Sequence, residues 1–77
     1  MKNVRMVGGP AHGREIVVED DVKHISIPVE VTSEGFVEVR YTIRELIAPG
    51  AESRFYAFVG GLTLNEGMAM IAAAWPN

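Results

Sequence analysis

Two groups of residues are equipped for chemistry. The first is the run Gly8-Gly9-Pro10-Ala11-His12-Gly13-Arg14. Glycine-rich turns can aim backbone N–H groups at an anion, and a histidine and an arginine nearby would add charge. Gly9, His12 and Arg14 are therefore the candidates for holding a small anion or a nucleotide. The spacing favours a plainer reading. A phosphate loop ends in Gly-Lys-Ser/Thr and a dinucleotide fingerprint leads into a helix, whereas here Arg14 opens the strand-like segment Arg14–Val18. A wide hairpin turn is expected.

The second group is Arg44, Arg54, Phe55, Tyr56 and Phe58. The segment Arg54–Val59 is apolar on both of its strand faces, and a single helix can cover only one. Aromatic side chains left on the open face beside arginines would form a protein-binding hot spot or a self-association surface.

Other chemistry is poorly marked. His12 and His24 bracket Glu19-Asp20-Asp21, but the spacing fits no metal-ligand pattern, and structural zinc sites usually include cysteine, which the chain lacks. Without cysteine, and with Ser26 in a strand and Ser53 beside a turn, no nucleophile–base pair stands out. So small a chain rarely encloses a pocket of about 300 Å³. The expectation is a protein that is not an enzyme and needs no cofactor or metal.

The elements that would position these residues are legible from period. In Val37–Ile43, Val37, Val39, Tyr41 and Ile43 alternate with Glu38, Arg40 and Thr42, the mark of a half-buried strand. Ala48-Pro49-Gly50-Ala51 suits a type II turn. With a two-residue loop, Ile43 would lie opposite Tyr56, Tyr41 opposite Phe58 and Glu45 opposite Arg54; a longer loop starting near Ile47 is equally compatible. Earlier strands are expected over Asn3–Val7, Arg14–Val18 and His24–Val31, the last at a sheet edge or bulged because Pro28 lacks an N–H.

Thr63-Leu64-Asn65-Glu66 forms a capping-box pattern, and a helix should run from Leu64 to about Trp75. Leu64, Met68, Ile71, Ala72 and Trp75 share a stripe that should lie on the sheet. Gly67 within the first turn suggests a bulky strand residue pressing on the helix backbone. The order β-β-β-β-β-α predicts an α+β fold: four or five antiparallel strands with a C-terminal helix packed on one face, in one domain spanning residues 1–77. Glu38, Arg40, Thr42 and Arg44 would take the far face if the Val37 series meets the helix.

The 77 residues carry a formal charge of −3 with dispersed basic residues, so duplex nucleic acid is not an expected partner. Met1-Lys2-Asn3-Val4-Arg5-Met6 lacks the apolar core of a signal peptide, and no run approaches a membrane span, so a cytoplasmic protein is expected. Thin cores in small domains favour homo-oligomers.

The Val-Gly-Gly-Pro-Ala-His-Gly-Arg hairpin at Val7–Arg14, with Tyr41-Thr42-Ile43-Arg44 and the helix Leu64–Met70, resembles short proteins of tailed bacteriophages and prophages. The resemblance implies a phage-encoded accessory protein of the host cytoplasm that binds a host or phage protein and modulates or inhibits it, defence systems included. It implies no residue roles.

Overall fold

The computed structural model describes residues 1–47 and 53–76, excepting the side chains of Val31 and Thr32. The strands are β1 (Lys2–Val7), β2 (Glu15–Val18), β3 (His24–Thr32), β4 (Gly35–Ile47) and β5 (Ser53–Val59), followed by helix α1 (Leu64–Ala74). They form one sheet in the order β2-β1-β5-β4-β3. The α+β class agrees with the sequence, but the sheet is mixed: β1 and β5, at its centre, run parallel. The other neighbours are antiparallel.

The connection from β2 to β3 forces this sheet to coil. In register, Val18 lies level with Lys2, and His24 lies level with Val7 through Thr42 and Phe58. In a flat sheet those strand ends would be about 19 Å apart across the strands and about 17 Å along them, or about 25 Å in all. The five residues Glu19–Lys23 reach only about 20 Å when extended. The sheet therefore wraps beyond the ordinary strand twist, and the concave side is the one on which Ile16 and Val18 of β2 and Ile25 and Ile27 of β3 pack against one cluster. Lys2 Nζ fastens the connection by donating to the carbonyls of Asp20 and Val22, each at 2.9 Å.

Val4, Met6, Tyr41 and Ala57 are fully buried on the concave side. Ala11 joins them from the β1–β2 loop, with Ile16, Ile25 and Phe55 packed around the margin. The convex side carries a second cluster, Val7, Tyr56 and Phe58, beneath Ile71 and Trp75 of the helical segment.

The β4–β5 ladder overturns the two-residue-loop register and agrees with the longer loop starting near Ile47. Ile43 faces Ala57, Tyr41 faces Val59, Glu45 faces Phe55 and Arg54 faces Leu46. β4 runs on to Ile47 and β5 starts at Ser53, so the connection exceeds two residues and the pairing settles one residue away. The expected Pro-Gly turn falls outside the described residues. A one-residue slip exchanges faces. Tyr56 and Phe58 consequently share the convex side with Arg44 and Thr42, and the helix lies there. The Val37 series lines the concavity instead, which reverses the conditional assignment of faces.

The capping box forms as the sequence indicates: Glu66 N donates to Thr63 Oγ1 at 3.2 Å and Thr63 N donates to Glu66 Oε1 at 3.2 Å. The buried helix position is Gly67, with Ile71 and Trp75 packed against the convex cluster. Leu64, Met68 and Ala72 point away, so the predicted stripe is corrected by about one residue position around the helix. An added Cβ on Gly67 would meet the Phe58 ring, which identifies the bulky strand residue.

Candidate functional site

The glycine loop is built to be pinned rather than to receive a ligand. Gly8, Gly9 and Gly13 take φ of 78°, 65° and 88°, which lets the chain turn back on itself. The buried Tyr41 hydroxyl donates to Gly8 O at 2.7 Å and accepts from Ala11 N at 3.0 Å. Gly8 N donates to His12 Nδ1 at 2.9 Å. His12 N, Gly13 N and Arg14 N donate to the carbonyls of Gly9, Met6 and Ala11. These N–H groups are thus engaged inside the protein and cannot cradle an anion together. Gly9 packs on Tyr41, His12 Nδ1 accepts from Gly8 N, and the Arg14 side chain is exposed.

The five aromatic and basic candidates divide between two faces. Tyr56 is 7% exposed and Phe58 2%, both beneath the helical segment. They are core, which corrects their assignment to a docking surface. The cause is the helix, which covers the face they share with Thr42 and Arg44. Phe55 points into the opposite, concave side, with Lys2 Nζ 4.8 Å from its ring centre. Arg44 lies over Phe58 at 5.6 Å, and Arg5 lies over Trp75 at 5.1 Å. Arg54 is exposed.

Met1, Lys2, Asn3, Arg5, Glu15, Ser53, Arg54 and Phe55 line an open cleft of about 370 Å³. Its cations are mostly committed. Lys2 holds the β2–β3 connection, and Arg5 Nε lies 3.4 Å from Glu15 while its guanidinium covers Trp75. His24 Nδ1 lies 3.5 Å from Thr42 Oγ1, away from the His12 loop. Among the described residues, no group of three His, Asp or Glu side chains is placed to hold a metal. No described helix is long and apolar enough to cross a membrane.

The surface that sequence reasoning missed is the outer side of α1. Leu64 is 47% exposed, Met68 51% and Met70 38%, in a helix whose polar side chains are only Asn65 and Glu66. A helix apolar on nearly every side is ordinarily enclosed, yet Gly67 is its buried residue. Gly67 was the available signal. A glycine kept within a helix marks a close approach, and centring the contact on it places Leu64 and Met68 outside. Comparison with protein-family models, curated proteins and solved structures returned no match.

Proposed function

We propose that this chain is a non-enzymatic protein-binding module whose contact element is the outer face of α1. The observation that carries the proposal is the exposed Leu64–Met68–Ala72 row, spaced i, i+4, i+8 on a capped helix already held to the sheet. Such a row suits an apolar groove on a partner protein. Methionine adapts to irregular pockets. Asn65 and Glu66 at its start favour a groove with a basic rim at that end. The resemblance to phage accessory proteins supports a host protein in the cytoplasm as the partner and modulation or inhibition as the outcome. The nucleotide-binding alternative has weaker support because the N–H groups of Gly8, Ala11, His12, Gly13 and Arg14 are spent internally.

The test is capture from bacterial lysate by tagged wild type and by Leu64→Glu/Met68→Glu, followed by titration of the purified captured protein. Both sites are exposed, so the double variant should keep its melting temperature within a few degrees. One protein held by the wild type, with at least about tenfold weaker binding to the variant, is the expected result. Equal binding to both would overturn the helix assignment.

A further inference from the structure

β1 and β5 separate at their N-terminal ends. Their ladder starts at Val4 opposite Phe55, although both strands begin two residues earlier, at Lys2 and Ser53. Each strand keeps its other neighbour over those residues. Lys2 and Asn3 pair with Val18 and Val17, and Ser53 and Arg54 pair with Ile47 and Leu46. The sheet therefore forks, and the open cleft of about 370 Å³ lies in the fork. That volume falls within the range of small-molecule sites, about 300–1,000 Å³. The fork is at the opposite end of β1 from the glycine loop.

Backbone direction shows what the fork presents. Met6 N donates to Arg14 O and Gly13 N to Met6 O, so even-numbered residues of β1 bond toward β2 and odd-numbered ones toward β5. Gly60 N donates to Arg40 O, so even-numbered residues along β5 bond toward β4 and odd-numbered ones toward β1. The rung at Val4 and Phe55 takes the Phe55 N–H to the Asn3 carbonyl. The N–H of Asn3 and the N–H and C=O of Ser53 then face the fork with no rung among the described residues. Backbone N–H groups converging at the end of a sheet make an anion-binding concavity.

Side chains make the same fork electropositive. Lys2, Arg5 and Arg54 line it with Glu15, which is three of the seven basic residues and one of the ten acidic ones in a chain of net charge −3. Lys2 donates to neutral carbonyls, so its charge is not cancelled. Arg5 meets Glu15 through Nε at 3.4 Å, which leaves its Nη groups for another acceptor. Arg54 is exposed and has no hydrogen bond or ion pair among the described residues. In register, the Cα atoms of Arg5 and Arg54 are about 8 Å apart on the convex side, so both guanidinium groups can reach one anion.

We propose that the β1–β5 fork binds a phosphate monoester of a small polyol. Three positive charges against one negative leave an excess of two, which matches a dianionic phosphate better than a monoanionic carboxylate. Arginine donates to phosphate oxygens in pairs. The remaining groups suit hydroxyls: the Ser53 carbonyl accepts, while the Asn3 amide and the Ser53 hydroxyl both donate and accept. This site is separate from the outer face of α1 and does not depend on it.

The test is titration of the isotope-labelled chain, followed through its amide chemical shifts. Glycerol phosphate should move the Asn3 and Ser53 amides saturably at millimolar concentration, and bind at least about tenfold more tightly than acetate at equal ionic strength. Glycerol alone should move neither. Inorganic phosphate should move the same amides but bind more weakly than glycerol phosphate. Arg54→Ala, at an exposed site that keeps the fold, should weaken glycerol phosphate at least about tenfold. Glu15→Gln removes the one repelling charge and should tighten inorganic phosphate several-fold. Leu64→Glu/Met68→Glu should bind as the wild type does. No saturable shift at tens of millimolar glycerol phosphate would overturn the proposal. So would acetate binding as tightly, which leaves only general attraction between charges, or unchanged binding by Arg54→Ala. Inorganic phosphate binding as tightly as glycerol phosphate would overturn the polyol assignment.

Discussion

Replacing Gly67 with alanine gives a direct test of how the helix meets the sheet. On an exposed helix this change stabilises by about 1 kcal/mol. Here the added Cβ would sit 2.5 Å from Phe58 Cζ and nearer still to Cε2. Phe58 is held between sheet and helix with 2% of its surface exposed, so the ring has little room to swing aside. Overpacking of this kind costs about 2–3 kcal/mol, which outweighs the helix gain and leaves a net loss of about 1–2 kcal/mol. For a domain of this size that corresponds to a fall in Tm of roughly 5–15 °C. Urea denaturation of Gly67→Ala, Phe58→Leu and the double variant would measure it. The smaller leucine should relieve the clash, so the double variant should be more stable than the sum of single effects by about 1 kcal/mol or more. A Gly67→Ala protein that melts above the wild type would refute the close contact.

Two further outcomes concern the loop and the cap. Tyr41→Phe removes the hydroxyl that serves both Gly8 O and Ala11 N, and should cost about 1–3 kcal/mol while speeding amide exchange at Ala11. Unchanged exchange there would mean the hydroxyl does not hold the loop. Thr63→Ala should cost about 1 kcal/mol at neutral pH by thermal melting. Hydrogen bonds from the Thr63 side chain and backbone hold the Glu66 carboxyl below its usual range. A carboxyl so lowered contributes stability above its unfolded pKa and loses it as pH falls through the folded one. The wild-type advantage over Thr63→Ala should therefore shrink on acidification, and an advantage unchanged down to pH about 2 would contradict that linkage.

The sequence carried the elements well because their signals are local. Alternation located Val37–Ile43, the capping box located the start of α1, and Pro28 identified β3 as an edge. The parallel contact of β1 with β5 left no such trace, because β2, β3 and β4 intervene between the two strands. Alternation left the β4–β5 register open between a two-residue turn and a longer loop near Ile47, and that choice decided which β4 residues share a face with Tyr56 and Phe58. The helix stripe was misplaced because almost every position in Leu64–Ala74 is apolar, so periodicity offered no contrast. That misplacement hid the α1 surface, since it turned Leu64 and Met68 toward the sheet.

The interior position of β1, between β2 and β5, also sets an order in time. β3, β4 and β5 are joined as successive hairpins and need only short loops to find one another. β1 has its own hairpin partner in β2, but its other edge must wait for β5, whose partner residues lie some fifty positions later, Val4 with Phe55. Contacts so distant along the chain are slow to close. During synthesis the β1–β2 hairpin therefore emerges with Val4 and Met6 uncovered, and it stays open until Ser53–Val59 has left the ribosome. A nascent chain stopped short of β5 would expose that strand edge, making premature termination a route to aggregation rather than to a smaller folded domain.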